Sequence, residues 1–115
     1  AATLHTITPT FGGTTVTADQ ISASSTDLAQ VEIVNTNNAS ATVYVKLYNA
    51  ASGNVTVGTT PPQMVLACPG GATVTYVVPQ EVTFGTALTV VVVTAGGTAG
   101  TTSMASSVTV KLLQG

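Results

Sequence analysis

One hundred and fifteen residues suit a single domain, at roughly 100–200 residues per domain, yet the chain carries only two lysines, four acids and no arginine. A net charge of −2 without a basic cluster excludes nucleic acid and anionic membrane surfaces, because each contacted phosphate needs a nearby cation. An apolar content of 44% excludes disorder, and the apolar runs, such as residues 90–93 and 64–68, are far below the roughly 20 that a membrane-spanning helix requires.

Threonine fills 23 positions and valine 18, so two β-branched residue types supply over a third of the chain. Period-2 alternation recurs and helical spacing is nearly absent. Residues 4–7 and 14–18 read as the first strands, with Gly12-Gly13 between them. His5 falls opposite Leu4 and Ile7, on a solvated side. Residues 19–29 hold the only weak helical character, interrupted by Ser-Ala-Ser-Ser-Thr. Strands follow at 28–35 and 43–48, and Asn37-Asn38, which tolerate positive φ, close a hairpin between 31–35 and 42–48. In the second of these, Val43, Val45 and Leu47 face the core, while Tyr44, Lys46 and Tyr48 form the opposite stripe. Further strands fall at 64–68, 73–78 and 88–94. In a closing strand near the C-terminus, Val108, Val110 and Leu112 point inward and Thr109 and Lys111 outward.

Gly, Pro and Asn punctuate these runs at Gly53-Asn54, Pro61-Pro62, Pro69-Gly70-Gly71, Gly96-Gly97 and Gly100. About eight short strands without crossover helices predict an all-β fold, an antiparallel β-sandwich of jelly-roll type. The chain reads as one domain overall. Residues 1–27 form an N-terminal segment, an arm or the first strands, and residues 28–115 form the sandwich. Two long loops, 49–63 and 95–107, serve either as crossovers and a flap or as an arm reaching a neighbouring subunit.

Few side chains in the sequence suit chemistry. A hydrolytic triad needs His5 beside a nucleophile and a carboxylate, and the acids Asp19, Asp27, Glu32 and Glu81 are scattered. No spacing suits a calcium loop or a transition-metal cluster, so no metal and no cofactor is expected. Cys68 ends the apolar run Met-Val-Leu-Ala-Cys and reads as a buried, inert thiol, with no basic neighbour in sequence to activate it. Without tryptophan, a sugar-stacking platform has only Tyr44, Tyr48 and Tyr76 to draw on. The sequons at Asn38 and Asn54 match the number expected by chance in so Ser/Thr-rich a chain. Tyr44, Lys46 and Tyr48 are the candidate interface, since tyrosine joins apolar area to a hydroxyl; the alternative is coverage by a loop of their own domain.

The runs Val31-Glu32-Ile33-Val34-Asn35, Val43-Tyr44-Val45-Lys46-Leu47-Tyr48-Asn49 and Val57-Gly58-Thr59-Thr60-Pro61-Pro62 resemble small β-sandwich virion proteins of tailed bacteriophages. The order then continues through Pro69-Gly70-Gly71, Phe84-Gly85-Thr86-Ala87-Leu88 and a closing strand from Ser107 to Leu112, so the likeness spans roughly residues 28–113. It is a likeness to capsid decoration (cement) proteins. The resemblance implies a non-enzymatic role, a place on the capsid surface of a virion assembled in the host cytoplasm, the major capsid protein as partner, and a homotrimer. It transfers no functional residue.

The charge shortage points the same way, since a free subunit with so few charges tends to associate and open strand edges need covering. A tail, baseplate or fibre component, or a carbohydrate- or cell-surface-binding module, is the alternative. A small hydrolase is a third reading, and it requires His5 within reach of a carboxylate and a hydroxyl.

Overall fold

The computed structural model describes residues 2–13 and 15–115. Its strands are β1 (Thr3–Ile7), β2 (Asp19–Ser22), β3 (Thr26–Val34), β4 (Val43–Tyr48), β5 (Met64–Cys68), β6 (Thr73–Phe84), β7 (Leu88–Val93) and β8 (Thr109–Gln114), with one 3-10 turn at Ser52–Asn54. They form two four-stranded antiparallel sheets, ordered β1-β8-β3-β6 and β2-β7-β4-β5. The pairs β1–β8, β2–β7, β3–β6 and β4–β5 are nested like the two arms of one long hairpin. That ribbon, rolled so that every connection except β4–β5 passes between sheets, is the jelly roll.

The core lies between the sheets. Leu28, Val31 and Ile33 of β3 and Val110 and Leu112 of β8 meet Val43, Val45 and Leu47 of β4, Leu66 and Cys68 of β5, and Leu88, Val90 and Val92 of β7. β8 alternates between buried and half-buried positions along its length, as a strand open on one face should. β7 is buried at all six positions of Leu-Thr-Val-Val-Val-Val. A continuous apolar run of this kind marks a strand covered on both faces.

Several local expectations are corrected. Described residues 15–18 are not a strand; Val16 and Ala18 instead pack on the outer side of the second sheet. Thr14 lies outside the described residues. The segment 19–29 has no helical turn and supplies β2 and the start of β3, because Ile21 and Leu28 are drawn into the core. Asn37-Asn38 does not close a hairpin. β3 bonds β6 and β8 while β4 bonds β5 and β7, so this link crosses from one sheet to the other. Neither asparagine has positive φ; Glu81 alone does among the described non-glycine residues.

The crossover is held by side chains. Buried Asn35 donates through Nδ2 to the carbonyls of Ala41 (2.9 Å), Cys68 (3.2 Å) and Pro69 (3.2 Å), and its Oδ1 accepts from Asn38 Nδ2 at 2.9 Å. A Cβ at Gly70 would lie 2.6 Å from the backbone of Ser40 and Ala41, so only glycine lets the two crossovers touch here. β6 runs past residue 78 to Phe84. Its ladder with β3 steps from Gln30↔Val77 to Leu28↔Val82, so Val78, Pro79, Gln80 and Glu81 bulge outward, which accommodates a proline in the strand.

Candidate functional site

The stripe Tyr44, Lys46 and Tyr48 occupies the face of β4 opposite Val43, Val45 and Leu47, as alternation requires. It aligns across the sheet with Val93, Val91 and Thr89 of β7. The stripe does not face solvent. Lys46 is 0% exposed and Tyr48 1%, while Tyr44 is half-buried, so the first two present no surface to another molecule.

The chain's own loops cover them. Val55 and Val57 from the β4–β5 connection and Val16 and Ala18 from the β1–β2 connection pack with Tyr48, Val91 and Val93 into a second, smaller apolar cluster. Gln20 Oε1 accepts from Ser52 N–H (3.0 Å), and Thr89 Oγ1 donates to Ala50 O (2.7 Å), tying the first loop down. The β7–β8 connection closes over Tyr44 and Lys46. A Cβ on Gly96 would sit 3.0 Å from the Tyr44 ring, so any larger residue there would have to push the ring aside by a few tenths of an ångström.

Lys46 is the anchor of that loop. Its Nζ donates to Gly97 O at 2.6 Å and to Gly100 O at 3.2 Å, and Gly100 N–H closes the turn by donating to Gly97 O at 2.9 Å. Burial pushes the Lys46 ammonium below the usual lysine range, since removing a cation from water disfavours the charged form. Burial likewise raises Tyr48, whose hydroxyl has no hydrogen-bond partner. The sign of both effects fits side chains that brace a covered face.

Where the β1–β2, β4–β5 and β7–β8 connections meet, they leave a groove of about 480 Å³. Its walls are Gly13, Thr15, Val16, Val57, Thr101, Thr102 and Ser103, a lining of hydroxyls and two valines without a charged group.

The remaining reactive side chains are dispersed. His5 shares its face with Ile7, not with Leu4: its backbone pairs with Leu112 and the ring turns inward, while Leu4 is 58% exposed. Its Nδ1 lies 3.4 Å from Gln114 Nε2, and Thr26 Oγ1 donates to Gln114 Oε1. The histidine therefore meets an amide rather than a carboxylate. Cys68 is buried, its Sγ facing the carbonyls of Ala72 (3.5 Å) and Ile33 (3.6 Å), and burial raises the thiol above its usual range despite hydrogen bonds from the backbone of Val74 and Asn35. Asp19 Oδ2 is buried without a partner, and burial raises this carboxyl. Among the described residues no three His, Cys, Asp or Glu side chains converge as a metal site would need.

The outer face of the other sheet was not singled out by sequence and is the larger open feature. Cross-strand pairing sets its residues in rows over β1, β8, β3 and β6. One row runs Leu4, Leu113, Gln30, Val77, and the next runs Thr6, Lys111, Glu32, Thr75. Leu4 and Val77 are 58% and 65% exposed, and Lys111 Nζ lies 3.6 Å from Glu32 Oε1 as the only charged pair in these rows. Among the described residues, no loop folds over this sheet as the three do over the other. The signal for it was the regular alternation of 109–114, with Leu113 placed outward.

Comparison with known proteins returns no match among family models, curated proteins or solved structures.

Proposed function

We propose that this chain is a non-enzymatic structural subunit of a virion, a capsid decoration or cement protein that binds the major capsid protein and stabilises the head. The observation that carries the reading is the uncovered β1-β8-β3-β6 face, with its single ion pair and exposed Leu4 and Val77. A lone soluble subunit normally places several lysines and glutamates on such a face. Threonine, valine and leucine there suit contact with other protein. The jelly roll is an architecture that virus capsid domains share with lectins, so the fold accords with the reading without choosing it.

The test is co-sedimentation of the purified protein with expanded capsids that lack it, combined with heat challenge of the particles. Saturable binding, and particles that survive a higher temperature once decorated, are expected. No binding to capsids, together with binding to isolated tails or baseplates, would place the protein elsewhere in the particle. A glycan-binding role has to use the hydroxyl-lined groove, since Lys46 and Tyr48 are sealed and Tyr44 is half-buried. A glycan array with signal removed by Thr102→Trp, which fills the groove, would favour that role.

A further inference from the structure

The uncovered sheet face is self-complementary, and we infer that it seats the same face of a second copy of this chain. The inference rests on the reading above only in taking this face as a protein-contact surface; it gives the face to a second copy, leaves capsid contact to the rest of the molecule, and sets a two-fold pair in place of the homotrimer that the resemblance implies. The sheet order β1-β8-β3-β6 puts the midline of the face between β8 and β3. The face's ion pair, Lys111 on β8 and Glu32 on β3, straddles that midline at 3.6 Å.

A two-fold axis along this seam lays β8 of each copy over β3 of the other. Lys111 then lies over Glu32 of the second copy, and the reverse contact follows by symmetry. The same rotation lays Leu4, on edge strand β1, over Val77, on edge strand β6. These are two of the four exposed large apolar side chains among the described residues, and they sit in one row at opposite edges. Leu113 falls over Gln30. No like charges meet anywhere in the two rows. A translation or any other rotation of the face loses one of these matches.

Size permits the contact. The molecule measures 35 × 27 × 19 Å, so its broad side accommodates the roughly 800 Å² per partner of a standard interface. Two sheets packed face to face cross at about −30°, which a two-fold axis tilted by half that angle from the strands produces.

Charge reversal tests the arrangement, because Lys111 and Glu32 are the charged pair at the seam, while the face's remaining acid on β3, Asp27, lies outside these two rows and accepts from Thr83 Oγ1. Light scattering across a concentration series should give a mass twice 11.4 kDa for the wild type. Glu32→Lys alone and Lys111→Glu alone each set like charges face to face and should raise the dimer Kd at least tenfold. The double variant Glu32→Lys/Lys111→Glu restores every cross-copy pair and should return the dimer. Leu4→Asp should also give a monomer, with circular dichroism unchanged. A wild-type monomer, a trimer, or a dimer indifferent to either single reversal overturns the inference. Capsid co-sedimentation of the same variants separates the two claims: capsid binding by a monomeric wild type leaves the virion role standing while this pairing falls.

Discussion

Replacing Lys46 by Met tests whether a buried cation latches the β7–β8 loop. The substitution keeps an unbranched apolar stem and removes the ammonium that bonds Gly97 O and Gly100 O. Hydrogen bonds to a charged group contribute about 1.5–3 kcal/mol each, so the gross loss is roughly 3–6 kcal/mol. Against it stands the cost of holding an ammonium out of water, which is several kcal/mol and vanishes with the charge. The expected net loss is about 2 kcal/mol, borne by closure of the loop rather than by the sandwich core. Amides held inside the loop report it directly: Gly100 N–H, which donates to Gly97 O, and Thr94 N–H, which donates to Thr102 O.

Native-state hydrogen exchange should therefore speed at these two amides by about 30-fold, at 1.4 kcal/mol per tenfold. Amides of β3 and β8 should change far less. Unchanged exchange at Gly100 and Thr94 would show that solvent already satisfies the two carbonyls and that Lys46 latches nothing. The pH dependence has a definite sign. With its folded pKa lowered by burial, Lys46 binds fewer protons folded than unfolded between that value and 10.5, so its contribution to stability rises with pH across this window and is lost as pH falls through the folded pKa. Subtracting the profile of Lys46→Met from that of the wild type should leave that rise. A flat difference would refute the burial argument.

Three further outcomes are expected. Asn35→Ala strips the donor from three carbonyls at the β3–β4 crossover and should cost about 3 kcal/mol in urea unfolding with an unchanged m-value; a loss below about 1 kcal/mol would mean water replaces the amide. Tyr48→Phe removes a buried hydroxyl that has no partner, so stability should stay level or rise by up to about 1 kcal/mol; a clear loss would reveal a bound water or an unrecognised acceptor. Asp19 has its folded pKa raised by burial, so its contribution is fully present below 3.8 and lost as pH rises through the folded value. Asp19→Asn should accordingly melt higher than the wild type at pH 7, and the gap should close in thermal scans below pH 3.8; a gap that persists there would point to packing instead of charge.

Sequence and tertiary structure divide the explanation of this protein unevenly. Alternation along 43–48 and 109–114 was enough to assign strands, their inward faces and an all-β sandwich, because period 2 is a local property of extended backbone. Burial of Cys68 was legible for the same reason: it closes a short apolar run with no basic neighbour. The partner of each strand was not legible. The Asn37-Asn38 turn has the composition of a hairpin, yet Asn35 and Asn38 spend their amides on a crossover, and only the assembled sheets decide which.

The candidate stripe failed on a related point. Alternation says which residues share a face of a strand, but not what lies over that face. Leu-Thr-Val-Val-Val-Val in β7 did carry the missing information, since a strand buried on both sides loses its alternation. Read beside β4, it announces that Tyr44, Lys46 and Tyr48 are roofed over. What roofs them comes from three loops as distant in sequence as residues 16, 57 and 97. Composition alone fixed the shortage of charge. Which sheet face that shortage leaves open, and the placement of Lys111 and Glu32 at its midline, came from long-range pairing of β1, β8, β3 and β6, which no local pattern encodes because strand order depends on contacts between distant parts of the chain.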